Sequence, residues 1–114
     1  MGGDYADVLQ GTLEMLVLRA LALEPMHGWG LAQRIEAMSN GVFLIQQGTL
    51  YPALQRMKRR GWVRSSWRQT ENNRRARYYS ITAAGTKQLE AERDHWARTS
   101  GAIDAVLGLK RGLV

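Results

Sequence analysis

The sequence predicts a mainly α-helical protein with one small β-hairpin, three short helices coming before the hairpin and one long helix after it. Three observations predict this class. Glycine and proline fall at intervals that bound stretches with apolar residues at helical spacing. Residues 62–81 instead alternate Trp, Val, Tyr and Ile about a polar, Asn-rich centre. Beyond residue 82, an apolar seam recurs every seven residues.

The first helix is expected over residues 12–23, where Leu13, Leu16, Val17, Ala20 and Leu21 share a face. Thr12 is its expected N-cap and Pro25 lies just past its end. Leu31, Ile35 and Met38 mark the second helix, opened by His27-Gly28-Trp29-Gly30 and closed by Asn40-Gly41. Residues 42–45 form a short apolar connection that could hold a strand fragment. The third helix follows, with Leu50, Leu54 and Met57 as its apolar stripe and Gly61 as its stop. Thr49 is its expected N-cap, which places Pro52 in the first turn, where a missing N–H removes no helical bond.

Residues 62–69 and 76–81 are then the strands of a hairpin whose polar turn, 70–75, is basic at its tip. Val63 and Trp67 are expected in the core with the apolar stripe of helix three. One of Tyr78 and Tyr79 should face inward; alternation alone does not say which. Thr82 caps a last helix over residues 83–107, in which Leu89, Trp96 and Ile103 recur every seven residues, with Val106 on the neighbouring seam. Unbroken, it would measure about 37 Å at 1.5 Å per residue, too long for a head of this size to cover. A second copy of the chain is the simplest cover, so Leu89, Trp96, Ile103 and Val106 are expected at a homodimer interface. The organisation is a head over residues 9–82 and a C-terminal dimerisation helix over 83–109.

The chain has 114 residues and a net charge of +6. That charge is concentrated: residues 55–79 hold nine basic side chains and one acidic, a net +8, which leaves −2 for the remainder. A confined surplus of this size calls for an anionic partner. The chain has no cysteine, which removes disulfides, thiolate zinc sites and cysteine nucleophiles and fits a reducing, cytoplasmic setting. The longest strongly apolar stretch, 13–23, contains Glu14 and Arg19 and is too short to span a bilayer, and the first four residues lack the basic region of a signal peptide. No carboxylate pair, nucleophile triad or phosphate loop is present, so an enzyme is not expected. His27 and His95 are single and far apart, and neither a metal nor a cofactor is expected.

Three helices and a hairpin form the winged helix-turn-helix arrangement, in which helix three enters the major groove and the wing lies along the flanking backbone. The candidate DNA contacts are Gln47, Thr49, Tyr51, Arg56 and Arg59 on helix three and Arg74, Arg75 and Arg77 on the wing. A sequence-independent RNA-binding or ribosome-associated protein would use the same basic surface and is the alternative. It needs neither dimer nor palindrome.

The chain resembles the PadR family of bacterial transcriptional regulators. The resemblance is carried by Gly48-Thr49-Leu50-Tyr51-Pro52-Ala53-Leu54-Gln55-Arg56-Met57, then Gly61-Trp62-Val63, then Arg77-Tyr78-Tyr79-Ser80-Ile81-Thr82-Ala83-Ala84-Gly85. Met26-His27-Gly28-Trp29 and the segment from Leu89 to Trp96 support it. The common wing reads Gly-Arg-Pro-Arg-Lys before the tyrosines, whereas here it is Asn73-Arg74-Arg75-Ala76-Arg77. The resemblance implies a homodimer held by the last helix and a roughly palindromic double-stranded DNA operator, usually repressed. It also implies a small aromatic effector between paired tryptophans, which makes Trp96 the candidate effector residue, with packing alone as the other reading.

Overall fold

Apolar spacing, caps and glycine stops divide the chain into α1 (Gly2–Leu23), β1 (Met26–His27), α2 (Gly28–Met38), α3 (Gln47–Arg59), β2 (Val63–Gln69), β3 (Arg75–Ile81) and α4 (Ala83–Leu107). These elements come from a computed structural model that describes the backbone of residues 2–109 and the side chains of 12–109. The class is the one expected, mainly helical with a small antiparallel sheet. α1 starts ten residues earlier than its apolar pattern suggested, so Thr12 is an interior residue and not an N-cap. Gly11 lies inside the helix; an interior glycine costs about 1 kcal/mol relative to alanine, which weakens a helix without ending it.

α2, α3 and α4 end alike. Beyond each last turn a residue takes a left-handed backbone: Asn40 (φ 55°), Gly61 (φ 80°) and Gly108 (φ 74°). Each closing pair of N–H groups then reaches back to carbonyls the helix leaves free, as Gly61 N–H does to Lys58 O at 3.0 Å and Trp62 N–H to Met57 O at 3.0 Å. α4 passes through Gly101 unbroken. Residues 43–46 are irregular, with no strand fragment; Ser39 holds this loop by accepting the Phe43 N–H at 3.0 Å.

The sheet has the order β1-β3-β2, all antiparallel. β1 was not expected, since two residues are too few to show alternation; it pairs Met26 with Tyr79 and His27 with Tyr78. Val63 and Tyr79 face inward and join Leu13, Val17, Leu31, Leu50, Leu54 and Met57 in one core.

Two expectations about packing are corrected. Trp67 is 55% exposed although it lies on the same strand face as Val63, because the hairpin has by then run past the helices that cover its base. Leu89 is 4% exposed and seated in the core of its own chain. It lies in the second turn of α4, still against the head, and has no surface left to offer a partner.

The start of α4 is tied to the corner between α3 and β2. Thr82 N–H donates to Trp62 O at 3.0 Å, and its hydroxyl donates to Gly61 O while accepting the Gly85 N–H. A Cβ on Gly85 would stand 2.1 Å from that same Trp62 carbonyl oxygen, so only glycine fits. From this anchor α4 runs outward, leaving Trp96, Ile103, Val106 and Leu107 exposed on the single chain.

Candidate nucleic-acid interface

α3 begins at Gln47 with Gln46 as N-cap, three residues before the Thr49 N-cap expected. The Gln46 carbonyl closes the first turn alone, accepting the N–H groups of Thr49 at 3.0 Å and Leu50 at 2.9 Å. Pro52 therefore sits in the second turn, where it has no amide to donate to the Gly48 carbonyl. Leu50, Ala53, Leu54 and Met57 are buried against the core. Helical rotation sets Gly48, Pro52, Gln55 and Arg59 on the ridge opposite that stripe, and all four are exposed.

The residues proposed from sequence divide between this ridge and its flanks. Arg59 is on the ridge, and Thr49 is exposed on one flank. Tyr51 lies on the other, against the start of α2: a Cβ on Gly28 would come within 2.8 Å of its hydroxyl. Gln47 is half-buried, and its Oε1 is enclosed with no donor among the described residues. Arg56 departs furthest from expectation. Its Nε donates to Glu14 Oε2 at 3.1 Å, while Arg60 donates to Glu14 Oε1 at 3.1 Å, so one α1 carboxylate holds two α3 arginines. Gln55 was missed, although its position seven residues after Gly48 and off the apolar stripe marks it as outward.

On the wing Arg68, Arg75 and Arg77 lie over aromatic rings. Trp67 is the cross-strand partner of Arg77, and its ring lies 5.1 Å from the Arg77 guanidinium and 5.3 Å from that of Arg75. Arg68 covers Tyr78 at 5.1 Å, and Arg60 covers Trp62 at 5.1 Å. A ring beneath a guanidinium steadies it while leaving N–H donors for a phosphate, and Arg77 is held further by donating from Nη1 to Ser65 Oγ at 3.3 Å. Arg74 is exposed in a turn closed by Thr70, whose hydroxyl accepts the Arg74 N–H at 3.3 Å. Among the described residues no carboxylate is paired with Lys58, Arg59, Arg64, Arg68, Arg74, Arg75 or Arg77.

Tyr79 is the inward tyrosine; burial pushes its phenol above the usual range, against the opposing charge of Arg77, and keeps it neutral. Tyr78 instead meets His27 edge to face at 5.3 Å, and His27 stacks on the exposed Trp29 at 5.9 Å. His27 also caps α2, its Nδ1 accepting the Gly30 N–H at 3.0 Å, so it joins the wing to α2. No three metal-ligating side chains gather among the described residues, and no described helix is long and apolar enough to cross a membrane.

Comparison with known proteins finds the same fold. The family model for the transcriptional regulator PadR-like family matches residues 17–91. A transcriptional regulator from Clostridium thermocellum has a similar structure, with TM-score 0.79 and 25% identity over 87% of this chain and 96% of that one. A PadR-like transcriptional regulator from Bacillus cereus gives TM-score 0.78 and 26% identity, covering 89% of this chain and 96% of its own. An uncharacterised 37.1 kDa protein in transposon TN4556 of Streptomyces fradiae is 38% identical over 90 residues, which is 79% of this chain but 24% of that protein.

Proposed function

This chain belongs to the PadR-like family of transcriptional regulators, and on that premise we propose that it binds a roughly palindromic DNA operator as a homodimer and represses transcription there. The family is one of regulators and not of enzymes. The observation that carries the reading is a basic surface in two parts. The exposed ridge of α3 offers Gln55 and Arg59 to base edges, and the hairpin beside it offers arginines steadied on Trp67 and Tyr78 to the backbone. Thr49, Arg59, Arg74, Arg75 and Arg77 remain the contact residues of this proposal. Arg56 acts from the flank, shared with Glu14, and Tyr51 and Gln47 border the ridge.

The exposed Trp96, Ile103 and Val106 support pairing through α4, and two chains so joined would present their reading helices to half-sites about one helical turn apart or a multiple of it. A flat aromatic effector held at Trp96, near the dyad, would change the spacing of the two heads. Selection of bound fragments from random duplex DNA, with and without aromatic compounds, tests the reading together with sedimentation at micromolar concentration. An enriched palindrome and a dimer are expected. A monomer that binds RNA and all duplexes alike would overturn the proposal.

A further inference from the structure

We propose that Gly48 is the point where α3 meets the floor of the DNA major groove, and that its missing side chain determines how closely the reading ridge can approach the bases. The proposal rests on the DNA-binding reading above. It starts from a comparison of the eight glycines between residues 28 and 108. Gly41, Gly61 and Gly108 have a positive φ. Gly28, Gly30 and Gly85 have neighbours that would stand under 3.0 Å from an added Cβ. Only Gly48 and Gly101 have neither reason: each lies inside a helix, and a Cβ on either meets nothing within 4 Å. Glycine is among the least favourable residues in a helix, and no described atom near its missing Cβ accounts for it at position 48.

Its place on α3 supplies a reason from outside the chain. Gly48 is on the exposed ridge, with Gln55 and Arg59 following on the same face. Pro52, between them, adds only a compact ring. The ridge is lowest over its first turns and rises toward Gln55 and Arg59, a profile that lets a helix sink N-terminus first into a groove while two longer side chains reach base edges. Any side chain at position 48 would hold the helix away by its own thickness. Gly101 gives the internal control, because it lies on the side of α4 opposite Trp96, Ile103 and Val106. Pro52 offers a rival account, since its ring packs toward the carbonyl of residue 48; if glycine served only that contact, alanine there would strain α3.

The experiment uses the full chain and the duplex enriched by wild-type selection, with a scrambled duplex beside it. Gly48→Ala and Gly101→Ala should each raise Tm by about 2–6 °C, the ordinary effect of alanine for glycine in an unstrained helix. Gly48→Ala should bind the selected duplex at least about tenfold more weakly while its affinity for the scrambled duplex stays within about twofold, and Gly101→Ala should change neither. Gly48→Val should lose more than Gly48→Ala. A Gly48→Ala chain that binds the selected duplex as wild type does, or that melts below wild type, overturns the assignment. A wild-type chain that enriches no duplex overturns the DNA-binding reading, and this proposal with it.

Discussion

Replacing Glu14 by Gln should lower stability and raise DNA affinity at once. The carboxylate is 20% exposed and accepts from Arg56 and Arg60, each at 3.1 Å, so it joins α1 to the C-terminal half of α3 and cancels one of two charges on that flank. Both arginines are partly exposed, so each pair contributes under about 1 kcal/mol, and losing both should cost about 1 kcal/mol in total. For a domain of this size that is a fall in Tm of about 4 °C. Removing the anion also frees two cations beside the reading ridge. If both reach phosphates, the log-log slope of affinity against salt should steepen by up to about 1.8, with tighter binding at low salt. Circular dichroism melts give the first quantity and fluorescence anisotropy across a salt series gives the second. A variant that loses stability but keeps both affinity and slope would show that this flank lies beyond electrostatic reach of the duplex, and would remove Arg56 from the contact set.

Three further outcomes follow from packing and ionisation. Trp67→Ala should cost under about 1 kcal/mol in denaturant melts, against the 3–5 kcal/mol of a buried aromatic, yet weaken DNA binding because Arg75 and Arg77 lose their platform; a core-sized loss would refute the exposed placement. Gly85→Ala should destabilise by about 1–3 kcal/mol or more, since Trp62 O is a backbone atom that cannot move without breaking its bond from Thr82 N–H; a melt within 1 °C of wild type would contradict that close approach. The raised pKa of Tyr79 makes the unfolded chain the stronger acid, so stability is intact below the ordinary phenol value of about 10 and falls as pH rises past it. Tyr79→Phe should flatten that alkaline fall, as melts at pH 9 and 11 would register.

Much of this fold was legible because local chemistry and global packing agree. The α2 and α3 stripes, the alternating hairpin and Thr82 ahead of a long helix each translate into one element through spacing alone. The misreadings share a cause, which is that periodicity gives a face but not what lies against it. Trp67 has the inward phase of its strand, yet the body ends beneath it. Leu89 has the phase of the α4 seam, yet the head still covers that turn. Glu14 and Arg56 are 42 residues apart, and nothing in the charge pattern of either segment links them. β1 is too short for a pattern and exists because β3 offers an edge to pair with.

The concentration of charge in residues 55–79 acquires an internal order from these contacts. Glu14 takes up Arg56 and Arg60, so part of the surplus ties α1 to α3 and is partly neutralised there. Arg68, Arg75 and Arg77 are laid on Tyr78 and Trp67, which restricts their rotamers before any partner arrives and reduces the entropy lost on binding. Among the described residues, Lys58, Arg59, Arg64 and Arg74 have neither a ring beneath them nor a carboxylate beside them. Sequence reading counts these nine residues as equal, whereas their surroundings give them different tasks. Substituting the stacked group should reduce affinity beyond the loss of charge alone, and substituting the unsupported group should follow counterion release, one phosphate at a time.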